Sequence, residues 1–215
     1  MVTETSTLTE TEWVVRLDGV GRSVRTDTGD VTLLAPTTAE LRSHTLTVVA
    51  GPSGSGKTTL CNVVIGWERP DRGTVEWATG DAAGWARLAV APQRLALIEA
   101  LTLAENMALP FWARRAAVPD TQLQELCAAL EIAHLLSRHP SEVSFGEQQR
   151  AAIARCLLGA PALCVLDEPT GHQDEASAAL VAAQLLAARA AGSAVLVATH
   201  DEVVIDAADV LIRLR

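Results

Sequence analysis

The chain has 215 residues, is 49% apolar and carries a formal net charge of −9. That is ample for one α/β domain with a real core, or a domain plus a small subdomain. The acidic balance and the lack of a basic stripe argue against a nucleic-acid partner. No apolar run approaches the roughly 18 residues that span a bilayer.

Residues 1–12 are polar and acidic and are expected to fray. They lack the basic and apolar regions of a signal peptide. Residues 13–18, residues 31–34 and Thr45–Ala50 read as strands separated by Gly and Asp turns. Residues 74–77 and 87–91 are short strand candidates around a Gly/Asp-rich turn. From 101 to 137 the pattern becomes helical and alanine-rich, with Pro110 and Pro119 as breaks, and reads as a helical insertion. Residues 146–158 form a strong helix pattern. An apolar strand at 163–166 runs into Asp167-Glu168. An amphipathic helix over 175–191 stops at Gly192. Ala194–Ala198 is a further apolar strand ending in Thr199-His200, and Val210–Arg213 a last short one. Strands alternating with helices predict a doubly wound, mainly parallel sheet, with ligands beyond the carboxyl ends of its strands. Cys61, Cys127, Cys156 and Cys164 have neither metal-ligand nor redox spacing, and are expected to be reduced, mostly buried cytosolic thiols.

The stretch Gly51-Pro52-Ser53-Gly54-Ser55-Gly56-Lys57-Thr58-Thr59 fits G-x-x-x-x-G-K-[ST]. It follows an apolar strand and precedes an apolar helix start, which a surface turn would not require. Its glycines let the backbone aim N–H groups into a hollow that also faces the positive end of a helix. Lys57 can reach β- and γ-phosphates, and the Thr58 hydroxyl can hold Mg²⁺. Lys57 is the only lysine among the 17 basic residues. A lysine kept only here suits a compact, flexible ammonium rather than a planar fork.

Beside such a loop, Asp167 is a Mg²⁺ ligand candidate, often through water, and Glu168 a candidate general base. The competing reading is an N-capping pair. His200 follows a third strand of the same sheet and can reach a γ-phosphate, although a lone histidine there is more often structural. Gln93, an amide just past another strand, is a weak candidate for Mg²⁺ or the attacking water. His44, His134, His139 and His172 are read as solvent or core residues.

The segment from Ser144 to Arg150, SFGEQQR, followed by AAIARCLLGAPALCVLDEPT, resembles the ATP-binding cassette (ABC) subunits of transporters. The likeness runs from about Val14 to the end of the chain. Residues 51–59 match the family's Walker A, Gln93 its Q-loop glutamine, and Asp167 and Glu168 its Walker B and catalytic glutamate. Residues 143–147, with Ser144, Phe145, Gly146 and Glu147, occupy the signature; 171–174 occupy the D-loop and His200 the switch histidine. LTLAENMALP, EQQRAAIAR and DEPTG are most similar to the lipoprotein-release, macrolide-export and cell-division type.

This resemblance implies a P-loop NTPase fold over 1–215. It has a RecA-like core at about 13–93 and 150–215, an N-terminal antiparallel β-subdomain and a helical subdomain at about 94–149. It implies Mg²⁺-ATP hydrolysis in a homo- or heterodimer, each ATP sandwiched between one subunit's phosphate loop and the other's signature. Such dimers drive membrane permease subunits, which places the chain in the cytoplasm on the inner membrane face. Catalytic roles fall on Lys57, Glu168 and His200, and Mg²⁺ contacts on Thr58, Gln93 and Asp167. The apolar patch 95–98 and 101–103 is either a permease contact or ordinary core.

Three departures stand out. Phe145 replaces the usual signature glycine, Val24 the usual adenine-stacking tyrosine, and Gln173 the usual D-loop leucine. They leave a rival reading, a regulatory ATP-binding subunit with slow or no turnover, paired with an intact homologue. A soluble P-loop kinase is disfavoured, because it needs neither Walker B nor a signature-like helix.

Overall fold

The computed structural model describes residues 12–27, 29–79, 87–171 and 173–215. The expected fraying of the N-terminus, most of the Gly/Asp-rich turn and His172 lie outside them. In chain order the elements are β1 (Trp13–Thr26), β2 (Gly29–Arg42), β3 (Thr45–Ala50), α1 (Lys57–Val64), β4 (Arg72–Trp77) and β5 (Leu88–Ala91). They continue with α2 (Leu103–Ala113), α3 (Asp120–Ala129), α4 (Phe145–Leu157), β6 (Leu163–Asp167), α5 (Glu175–Ala190), β7 (Ala194–Ala198), α6 (Glu202–Asp206) and β8 (Val210–Arg213).

Five strands form a parallel sheet in the order β5-β6-β7-β3-β8. Parallel strands buried on both faces need apolar residues at every position, and β6 and β7 are buried throughout. Alternation then sorts the side chains. Val49, Leu163, Val165 and Leu196 join α1 and the β1–β2 layer on one face. Leu46, Val48, Cys164, Leu166, Val195 and Val197 pack against α4 and α5 on the other. All four cysteines are free and buried.

The antiparallel sheet is β2-β1-β4. Its third strand comes from beyond the phosphate loop, so β4 returns to the N-terminal layer after α1. β1 and β2 are 14 residues each, far longer than the apolar patches 13–18 and 31–34. Their outer halves are exposed, and the hydrogen-bonded hairpin ladder carries them on where the hydrophobic pattern stops. The short α6 was not foreseen; it is two turns or less, N-capped by the Asp201 carboxylate on Val203 N at 2.9 Å.

Pro110 does not break its helix: α2 runs through it to Ala113. Proline removes one backbone donor and disfavours a helix interior. The helix is held instead by a Thr102–Glu105 capping box and by fully buried Leu103 and Met107. Asn106, also fully buried, donates to the Ile98, Leu101 and Thr102 carbonyls. Leu103 is thus core, not surface patch, while Ile98 remains 47% exposed. The strong helix α4 starts at Phe145, one residue ahead of the apolar pattern.

Candidate functional site

The carboxyl ends of β3, β5, β6 and β7 open on one side of the sheet. The loop after β3 curls into the start of α1. Two glycines there are sterically required. A Cβ on Gly51 would sit 2.6 Å from Ser55 Oγ and 2.7 Å from the Leu214 carbonyl. Gly56 has φ +97° and its missing Cβ would collide with the Leu33 carbonyl of β2. Lys57 Nζ folds back on the loop, donating to the Gly51 carbonyl at 2.9 Å and the Pro52 carbonyl at 3.4 Å.

β6 carries Asp167 to its last position and Glu168 just beyond it. Asp167 Oδ2 accepts from the Thr58 hydroxyl at 2.7 Å. Its other oxygen, Oδ1, is buried with no hydrogen-bond partner among the described residues. Burial raises the Asp167 carboxyl above its usual range; the Thr58 bond opposes this and the Glu168 charge adds to it. An orphaned buried carboxylate oxygen beside a hydroxyl is a donor set that fits a hard divalent cation.

Glu168 has φ +50°, a conformation that costs a non-glycine residue of order 1–3 kcal/mol. Its backbone N–H continues the sheet by donating to Ala198 O at 2.7 Å. Its carboxylate meets three groups, Lys57 at the start of α1 and the consecutive Thr199 and His200 after β7. Lys57 Nζ lies 3.5 Å from Oε1, His200 Nδ1 is 3.0 Å from Oε2, and the Thr199 hydroxyl donates to Oε2 at 3.1 Å. The His200 side chain is 75% exposed, against 16% for Glu168, so the imidazole forms the open wall. Lys57, Thr58, Thr59, Gln93 and Glu168 line one cavity of ≈ 360 Å³ with Ser53, Gly54, Gly56 and Leu33. Thr58, Gln93 and Asp167 also line an adjoining cavity of ≈ 280 Å³.

The signature segment is elsewhere on the surface. Ser144 caps α4 in a capping box: its hydroxyl accepts from Glu147 N at 3.3 Å, and Glu147 Oε2 accepts from Ser144 N at 2.7 Å. The Ser144 hydroxyl, donating to Glu147 Oε2 at 2.8 Å, and then the Ser144 N–H hold the Glu147 carboxyl below its usual range. Phe145, the first helical residue, is 48% exposed. Gly146 and Glu147 follow in the first turn, with the Glu147 N–H already taken by the Ser144 cap. Val24 lies on β1 directly across from Val31, and the two are 42% and 45% exposed.

Sequence reasoning missed Thr199, Gln149 and the reach of Gln173. Thr199 is the neighbour of His200 at a strand end, a signal that was available. Gln149 sits in an otherwise apolar helix face and is only 5% exposed, and a buried amide always has partners.

Comparison with known proteins shows the family of the chain. The profile of the family described as "ABC transporter" matches residues 34–171. The lipoprotein-releasing system ATP-binding protein LolD of Maricaulis maris (strain MCS10) is 36% identical over 205 residues, covering 88% of this chain and 89% of that protein. LolD of Novosphingobium aromaticivorans is 36% identical over 215 residues, 94% of this chain and 96% of that one. The dimeric bacterial ABC transporter cassette MJ0796 superposes with a TM-score of 0.83 at 25% identity, over 93% of this chain and 94% of that one. A post-hydrolysis dimer of MJ0796, bound to ADP and Pi, gives 0.82 at 26% identity over 94% of each chain. With that fold, that motif order and relatives matched over nearly their full length, the chain belongs to the ABC transporter family as an ATP-binding domain.

Proposed function

We propose that this chain is the ATP-hydrolysing subunit of a membrane-embedded exporter or cell-envelope complex of the lipoprotein-release type, working through ATP-driven dimerisation. The observation that supports it is the convergence of Lys57, Thr199 and His200 on the Glu168 carboxylate, 3.0–3.5 Å away. A structural N-cap would need none of these three.

In this reading the loop N–H groups of residues 53–58 and Lys57 take the β- and γ-phosphates. Bound ATP draws Lys57 Nζ off the Gly51 and Pro52 carbonyls. Thr58, Asp167 and Gln93 would hold Mg²⁺, which supplies charge neutralisation on the phosphates. Glu168 takes the proton of the attacking water, and His200 orients Glu168 and contacts the γ-phosphate. Ser144, Phe145, Gly146 and Glu147 face the partner's ATP. The dimer, homo or hetero, passes its closure to permease subunits through a surface that includes exposed Ile98 and Trp67. No described helix is long and apolar enough to cross a membrane; in this reading the permeases hold the chain at the membrane.

The test is steady-state phosphate release at saturating Mg-ATP, with Glu168→Gln as blank. Turnover above that blank is expected; ATP binding without it turns the reading to the regulatory subunit. One observation favours that second reading, the exposed Phe145 ring at the signature.

A further inference from the structure

Gln173 uses both donors of its amide, and its oxygen, in one cluster. Nε2 donates to the Gly146 carbonyl at 3.0 Å and to Gln149 Oε1 at 2.9 Å. Oε1 accepts from Arg150 Nη1 at 3.0 Å. Gln149 passes the chain on, its Nε2 donating to the Glu168 carbonyl at 2.8 Å. The polarity is determined. Flipping the Gln173 amide would set NH₂ against a guanidinium and its oxygen against the Gly146 carbonyl. The result is a chain of hydrogen bonds that links Gly146, through two amides, to the main chain of Glu168, with the Gln173 NH₂ donating toward both ends. That carbonyl also accepts from Gly171 N at 3.1 Å, so the peptide after Glu168 is held by two donors. Glu168 itself stands at φ +50°, where a small peptide rotation swings its carboxylate.

We infer that Gln173 is a positioning residue that ties the start of α4 to the backbone of Glu168. A shift of Gly146 on meeting the partner's nucleotide is then transmitted to the general base of the same chain. This rests on the function proposed above. The leucine usual at this D-loop position has no polar atom and cannot make the relay. Its effect here is to couple the two nucleotide sites of the dimer through side chains as well as backbone.

The test compares the full chain with Gln173→Leu, Gln173→Glu and the double variant Gln149→Leu/Gln173→Leu. Gln173→Leu is expected to leave affinity for a fluorescent ATP analogue within about 2-fold. It should lower kcat about 3- to 10-fold with KM little changed, the scale of one hydrogen bond. In the Glu168→Gln background it should raise, by a similar factor, the ATP concentration giving half-maximal dimer, a readout that needs no turnover. Gln173→Glu keeps the acceptor for Arg150 but loses both donors, and should match the leucine variant. Gln173→Leu leaves Gln149 Oε1 buried without a partner and so lowers the melting temperature. The double variant removes that orphan and regains stability, but not kcat or dimerisation. Activity that returns together with melting temperature overturns the relay in favour of a structural role. Unchanged kcat and dimerisation in Gln173→Leu overturn it alone. A parent that binds no ATP overturns the proposed function first, and the relay with it.

Discussion

The Thr58 hydroxyl donates to Asp167 Oδ2 at 2.7 Å across 109 residues of chain. It ties the first turn of α1 to the end of β6 and leaves Asp167 Oδ1 buried and unpaired among the described residues. The carboxyl's affinity for its proton is raised, chiefly by burial. A carboxyl held above its usual range binds a proton more readily folded than unfolded. Its charge therefore opposes folding at neutral pH, and that opposition fades as pH falls through the raised folded value. Asp167→Asn is expected to raise the melting temperature of the nucleotide-free chain at pH 7.5. The gain should narrow as pH falls toward the ordinary carboxyl value of 3.8. Mg²⁺-dependent ATP binding should be lost in the same variant. A melting temperature that drops at pH 7.5 would show that Asp167 is satisfied in the free chain.

Lys57 is 8% exposed and is held by two loop carbonyls. Lys57→Ala removes one charge-assisted contact to phosphate, worth roughly 1.5–3 kcal/mol. ATP affinity should fall about 10- to 150-fold by calorimetry. Unaltered affinity would take Lys57 out of the phosphate site.

Glu168→Gln keeps the shape and the Thr199 contact but removes the carboxylate proposed as the base. ATP should bind, cleavage should stop, and a dimer should accumulate on size exclusion in Mg-ATP. Hydrolysis at the parental rate would assign the base to another residue. Since Lys57 Nζ is 3.5 Å from Glu168 Oε1, the same variant also removes that ion pair.

Val24 and Val31 face each other across β1 and β2 and leave a small apolar, non-aromatic surface. Val24→Tyr should tighten ATP binding by roughly 0.5–1.5 kcal/mol, the scale of ring contacts beyond area burial. Equal affinity in the tyrosine variant would place adenine elsewhere.

Phe145 puts a half-exposed ring at the first residue of α4, where close approach of backbone to phosphate favours glycine. Phosphate release by the parent homodimer should be slow, and Phe145→Gly should be faster. Losing one positioned donor commonly costs about 10²–10³ in rate. If the parent already exceeds about 1 s⁻¹ and the glycine variant is no faster, the ring is harmless. If the parent wakes only when mixed with an intact homologue, the asymmetric pair is the working unit.

Read along the chain alone, the sequence determined the phosphate loop, the acidic pair after an apolar strand, and the alternation of strands with helices. These are local: they depend on glycine's backbone freedom, on strand and helix periodicity, and on which residue follows which. The family likeness is carried by the same local runs. Tertiary structure alone decided the rest. It brought Lys57, Thr199 and His200 onto Glu168 by pairing β6 with β7 and β7 with β3, contacts between distant segments that packing selects. It sent β4 back across the N-terminal layer, where its register is set by β1. It carried α2 through Pro110 because a capping box and buried Leu103, Asn106 and Met107 outweigh one missing backbone donor. And it turned Gln173, in sequence only an odd residue beside an aspartate, into the link between Gly146 and Glu168, because a hydrogen-bond relay exists only once three separate segments lie within 3 Å of one another.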